Sequence, residues 1–87
     1  MDIEHLRRFI VVGKCLNFSK TADELYVTQP TLSHTISNLE SQLGVKLFQR
    51  STKNVELSPA GEVFLKTAED IVCRYDSGID GCIRSWE

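Results

Sequence analysis

An 87-residue chain with 41% hydrophobic and 25% charged residues suits one small domain with a modest core of its own. It carries neither a charged-then-apolar signal pattern nor an apolar run near the ~18 residues of a membrane span, so a soluble, cytoplasmic protein with no membrane partner is expected. The net charge of −2 argues against a uniformly basic nucleic-acid binder, but the acidity is uneven: residues 1–58 hold seven Lys/Arg and six Asp/Glu, and residues 59–87 hold three and six.

Asp2 is placed to cap a first helix in which Ile3, Leu6, Phe9, Ile10, Gly13 and Leu16 recur at helical spacing. Ser19 is the expected cap of a second, short helix whose buried side is Ala22 and Leu25. Ala22 is small where two helices must approach closely. After a turn at Tyr26-Val27, Thr28 caps a third helix, and Pro30 is tolerated in its first turn because its missing N–H has no intrahelical acceptor to lose. Leu32, Ile36, Leu39 and Leu43 form the apolar stripe of that helix, spaced four, three and four. Two short helices joined by a tight turn have the shape of a helix-turn-helix, whose second helix presents its N-terminal side chains to base edges in the DNA major groove.

Gln29, Ser33, His34 and Ser37 turn away from that stripe. An exposed helix face is usually filled with Lys and Glu, yet this helix carries Thr31, Ser33, Thr35, Ser37 and Asn38, all poorer helix formers. Gln pairs bidentately with adenine, and Ser and Thr bond several bases, so short uncharged polar groups suit a groove.

Gly44 supplies a left-handed helix end. Leu47-Phe48-Gln49-Arg50 and Val55-Glu56-Leu57 then read as two strands around Ser51-Thr52-Lys53-Asn54, a hairpin wing from which Arg50 and Lys53 reach phosphates or a minor groove. Ser58-Pro59 opens a last helix, with Glu62 complementing its positive end. Leu65, Ala68, Val72, Tyr75, Ile79, Cys82 and Trp86 follow at alternating spacings of three and four, a seven-residue repeat on a helix of ~40 Å. Its N-terminal half, with Val63 and Phe64, is expected to pack back on the first helix, and the remainder to pair with a second copy of the chain.

Cys15, Cys73 and Cys82 are too widely spaced for metal ligation or a disulfide framework and are read as small apolar side chains. No disulfide through Cys82 is expected between antiparallel partners, because it sits near the helix end. No cofactor is expected, and no paired carboxylates, activated nucleophile or glycine-rich phosphate loop can be assembled into an enzyme site.

The run F-S-K-T-A-D-E-L-Y-V-T-Q-P-T-L-S-H-T-I-S-N-L-E-S-Q-L-G-V-K-L-F-Q-R resembles the DNA-binding domain of LysR-type transcriptional regulators. The likeness extends from the first helix through Leu43-Gly44-Val45-Lys46-Leu47-Phe48 to Leu57-Ser58-Pro59-Ala60-Gly61-Glu62, about the whole chain. It implies a mainly α fold, a winged helix-turn-helix over residues 1–58 and a linker helix over 59–87 that pairs two subunits, normally antiparallel. It also implies a larger C-terminal domain that binds an effector and assembles tetramers. That domain is absent here, so a truncated or natural fragment is expected. By the same resemblance Gln29, Pro30, Ser33 and His34 face DNA, and Arg50 to Asn54 form the wing.

The expected DNA contacts are therefore Thr28, Gln29, Pro30, Thr31, Ser33, His34 and Ser37 on the recognition helix, with Arg50, Thr52, Lys53 and Asn54 on the wing. Two positions, His34 and Thr21, depart from common family usage, and a third, Tyr26, departs only from a glycine preference of other helix-turn-helix proteins that this family does not enforce. Arginine often stands at His34, a small residue at Thr21, where the methyl is expected to pack at little cost, and in other helix-turn-helix proteins glycine stands at Tyr26. The expected partner is double-stranded DNA with a pseudo-palindromic site, bound by a homodimer. The competing expectation is a winged helix used for protein contacts, which salt dependence would separate from DNA binding.

Overall fold

The computed structural model describes residues 1–50 and 54–86. Among these residues there are four helices and one hairpin: α1 (Ile3–Cys15), α2 (Phe18–Glu24), α3 (Gln29–Leu43), β1 (Phe48–Arg50), β2 (Val55–Leu57) and α4 (Pro59–Trp86). The strands pair antiparallel with Phe48 opposite Leu57, Gln49 opposite Glu56 and Arg50 opposite Val55. This is the expected mainly helical, winged arrangement.

Local chemistry sets the boundaries. The Asp2 carboxylate accepts from the His5 N–H at 2.9 Å and starts α1. The helix stops one residue short of the expected stripe: Leu16 lies in the left-handed region at φ 54 and donates its N–H to Val12 O at 2.8 Å. The expected cap Ser19 is corrected. Asn17, in extended conformation, accepts from the Lys20 N–H at 2.9 Å, because its amide oxygen reaches the free donors two residues earlier than a serine at 19 would. Tyr26 occupies the turn at φ 57, the backbone geometry that glycine adopts without penalty. Thr28 caps α3 through the Thr31 N–H at 3.2 Å, and Gly44, at φ 73, ends it.

The core gathers Leu6, Phe9, Val12, Ala22, Leu32, Ile36, Leu39, Leu47 and Ala68. Phe9 lies at its centre, with ring centroids 5.7 Å from Phe48 and 5.4 Å from Phe64, so one side chain joins α1 to the wing and to α4. Thr21 is fully buried as well, but its Oγ1 has no hydrogen-bond partner among the described residues. The expectation that it costs little is corrected: the methyl packs, while a buried unmatched hydroxyl costs about 1–3 kcal/mol. Thr35 is buried rather than part of the exposed face, since its hydroxyl donates to Thr31 O and accepts from Arg8 Nη1, both at 3.1 Å.

The first half of α4 belongs to this packed body. Leu65 meets Gly13, Lys14 Nζ lies 2.8 Å from Glu69 Oε2, and the Arg7 guanidinium grips Asp76 with two contacts of 2.6 and 3.2 Å. Ala68, expected at a subunit interface, is fully buried in the chain's own core and has no surface left for a partner. The seven-residue repeat is thus divided between two tasks, with the body covering its first turns.

The Arg7 hydrogen bonds hold the Asp76 carboxyl below its ordinary value. A depressed folded pKa contributes stability above the unfolded value near 4 and loses it as pH falls through the folded value. Asp76→Asn is therefore expected to lower the melting temperature at neutral pH, with the gap to the parent chain closing below about pH 4. Thermal unfolding followed from pH 7 to pH 2 checks it, and a gap independent of pH would contradict it.

Candidate nucleic-acid interface

Once α3 buries Leu32, Thr35, Ile36 and Leu39, the helix has one open face. Gln29, Pro30, Thr31, Ser33, His34 and Ser37 are all exposed on it. Thr28 is exposed too, but its hydroxyl oxygen accepts from the Thr31 N–H and its proton goes to Thr31 Oγ1 at 2.9 Å, so both hydroxyls serve the helix start. The open polar groups are left to Gln29, Ser33, His34 and Ser37.

The wing closes one side of this face. Phe18, Ser33, Ile36, Ser37, Lys46 and Arg50 line a shallow groove between α2, α3 and β1, with Glu40 and Phe48 at its base. Arg50 is held there: its guanidinium carbon lies 6.0 Å above the centroid of Phe18, whose ring is itself packed edge-on to Phe48 at 5.5 Å. The structure thus unites Ser33 and Ser37 with Arg50, as expected. Asn54 is exposed on the other side of the hairpin turn, and Thr52 and Lys53 lie outside the described residues.

Two groove residues lie outside the expected contacts, although the sequence already shows Lys46 as one of the few positive charges between Tyr26 and Val55. Lys46, exposed on the groove wall, adds a second cation. The Glu40 carboxylate beside it is mostly buried and shared: its Oε2 accepts from the Leu47 N–H at 2.8 Å and the Phe48 N–H at 3.4 Å, while its Oε1 lies 3.8 Å from Lys46 Nζ. Its negative charge serves both the backbone entering the wing and Lys46, so Lys46 is partly offset and Arg50 is the cation that Glu40 does not pair with. The scarcity of other charges between Tyr26 and Val55 was the available signal for Lys46, whereas no sequence pattern announces Glu40.

The pairing residues fall into two groups. Ala68 is fully buried and Leu65 and Val72 are half-buried against the body, while Tyr75, Ile79, Cys82 and Trp86 are exposed. Ile71 and Ile83 join the exposed set and had not been anticipated. Cys73 and Cys82 are both exposed, and Cys15 is half-buried. Among the described residues, no helix is long and apolar enough to cross a membrane.

Comparison with known proteins agrees with this geometry. The family of bacterial regulatory helix-turn-helix proteins, lysR family, matches residues 3–62. The HTH-type transcriptional regulator AlsR of Bacillus subtilis is 41% identical over 80 residues, covering 92% of this chain and 26% of the relative. The chain thus spans about a quarter of the length of most of the curated relatives it matches. Among solved structures, the CbnR DBD–DNA complex superposes with a TM-score of 0.94 at 32% identity over the whole of both chains. The complex of the BenM DBD with catB site 1 DNA gives 0.92 at 34% identity, covering 100% of this chain and 98% of the other. The chain belongs to the lysR family of bacterial regulatory helix-turn-helix proteins.

Proposed function

We propose that this chain binds double-stranded DNA sequence-specifically, as the DNA-reading part of a bacterial transcriptional regulator acting in the cytoplasm rather than as an enzyme. The observation that carries the proposal is the open face of α3, lined with Gln29, Ser33, His34 and Ser37 and continuous with the Arg50–Lys46 groove. The N-terminal end of α3 enters the major groove, where Gln29 and Ser33 meet base edges, and His34 and Ser37 lie beside the sugar-phosphate wall. Arg50 and the wing residues Thr52, Lys53 and Asn54 contact backbone or minor groove. Relatives solved with DNA, and the same fold at over 30% identity, support this reading.

The functional unit is a dimer paired through the outer half of α4, with residues 1–58 reading DNA and residues 59–87 linking the subunits. Its two recognition helices sit in half-sites whose centres are one helical turn, or a multiple of it, apart. Exposed apolar side chains at Tyr75, Ile79 and Trp86 support pairing, since a monomer would leave them in water.

Selection from a random DNA pool, followed by titration of the enriched site at several salt concentrations, tests the proposal. A two-half-site motif is expected. Gln29→Ala should change the preferred base at one position in each half-site, by about 1–3 kcal/mol of discrimination. Arg50→Ala should weaken all sequences alike and reduce the salt slope by about one. Binding that ignores salt, or selection without enrichment from folded protein, would favour a protein partner for the same face.

A further inference from the structure

On the side of the molecule away from the polar face of α3, a groove of about 420 Å³ opens between α1, α4 and the end of α2. It is lined by the apolar Ile10, Val11, Leu25 and Val72 and by the charged Arg7, Arg8 and Glu4, the last 3.6 Å from Arg7 Nε. Beyond the groove α4 leaves the body behind. Tyr75, Ile79, Ile83 and Trp86 continue along it with exposures of 47, 45, 58 and 91%. At 3.6 residues per turn, Val72 and these four side chains fall within an arc of about 80°, so the face that packs on the body runs on uninterrupted past its edge.

That continuity restricts how a second copy can cover the exposed half. A parallel partner helix would carry its own N-terminal half along the face already occupied by α1 and collide with it. An antiparallel partner carries its body away beyond Trp86. With a two-fold axis at Ile79, the register follows from the numbering: Val72 and Trp86 stand equally far from it, seven residues on either side. Trp86 of the partner subunit then lies opposite Val72, over the groove.

We propose that Trp86 of each subunit docks into the α1–α4 groove of the other, so that two reciprocal indole contacts lock the dimer and fix its register. This rests on the pairing through α4 proposed above and adds its socket. The indole is the large aromatic anchor that an apolar pocket of this size accepts, and the lining guanidiniums of Arg7 and Arg8 are placed to lie against its face. Because Arg7 is held by Asp76, that lining is fixed before the partner arrives.

Trp86 is the sole tryptophan, so its fluorescence reports the socket directly. Emission of the 87-residue chain is followed on dilution alongside sedimentation equilibrium. The expected result is emission at the wavelength of a water-exposed indole in the monomer, moving to shorter wavelength as the dimer forms, with one midpoint for both measurements. Trp86→Ala, at an exposed helix position that the fold does not need, should weaken dimerisation about tenfold or more. Val11→Glu, in the groove lining, should weaken it similarly and leave the emission red-shifted, while Val63→Glu, exposed elsewhere on α4, should change neither. A stable dimer whose tryptophan emission stays that of exposed indole, or one indifferent to Val11→Glu, overturns the docking while leaving α4 pairing intact. Absence of any dimer, free or on DNA, overturns both.

Discussion

Gly61→Ala is expected to lower stability by about 3 kcal/mol or more, a fall of roughly 12 °C or more in melting temperature for a domain of this size. A β-carbon at this position would stand only 2.0 Å from Leu47 O and 3.0 Å from Leu47 C. Neither atom is free to retreat. Leu47 O accepts from the Ser58 N–H at 2.9 Å, and the Leu47 N–H is held by Glu40 at 2.8 Å. Ser58 Oγ meanwhile donates to Lys46 O at 2.6 Å and accepts from the Gly61 N–H at 2.9 Å. This knot ties the strand entering the wing to the first turn of α4, and closure depends on the two backbones touching. Relief requires α4 to shift, which would loosen Phe64 from Phe9 and disturb the aromatic series from Phe64 through Phe9 to Phe48. Gly81→Ala is the matched control, because nothing lies within 4 Å of that position and alanine favours the helix by up to about 1 kcal/mol. Thermal or denaturant unfolding of the two variants decides the point, and equal stabilities would refute the argument.

Gly61 also illustrates which features the sequence displays and which it hides. The three-four spacing of Leu32, Ile36 and Leu39, the Thr28 cap before Pro30, and Gly44 after Leu43 act within one helix, so they are readable from neighbours in sequence. The division of the α4 repeat was only half readable. Periodicity identifies the face but not how far the body covers it, and Ala68 therefore falls inside the core although its place in the repeat equals that of the exposed Tyr75. The close approach at Gly61, the inward turn of Glu40 and the seat of Arg50 over Phe18 join residues far apart in sequence and leave no local pattern. Asn17 and Ser19 differ in another way. Both are good cap residues two positions apart, and the extended backbone at Asn17 decides between them.

The candidate interface was legible for the same reason that the helix was. Once the stripe of α3 is assigned to the core, the opposite face is fixed by geometry, and Gln29, Ser33, His34 and Ser37 are found there. Thr35 was misassigned because a threonine can serve either surface: its methyl suits the interior, and in the folded chain its hydroxyl finds Thr31 O and the Arg8 guanidinium. The cationic edge was less legible, since Glu40 divides its carboxylate between backbone donors and Lys46, a sharing that no sequence pattern displays.

Ser33→Glu is expected to abolish specific DNA binding, with a loss of about 100-fold or more, while leaving the fold intact. Ser33 is exposed on α3 and lines the groove that also holds Lys46 and Arg50. Glutamate is a better helix former than serine, and a surface change of this kind stays within about 0.5 kcal/mol of the parent stability. In the complex the new carboxylate would face phosphates and the acceptor atoms of base edges, a like-charge juxtaposition costing several kcal/mol. It would also draw the Arg50 guanidinium toward itself and remove a cation from the DNA backbone. Ser41→Glu adds the same charge to the same helix two turns later, beside Gly44 and Val45, where the N-terminal insertion of α3 leaves more distance to the duplex. Its effect should therefore be about tenfold or less and mostly removable by salt, as screening of a distant charge requires. Titration of both variants on one selected site, with melting temperatures measured in parallel, separates the cases. Equal losses from Ser33→Glu and Ser41→Glu would mean that α3 does not enter the groove by its N-terminal end.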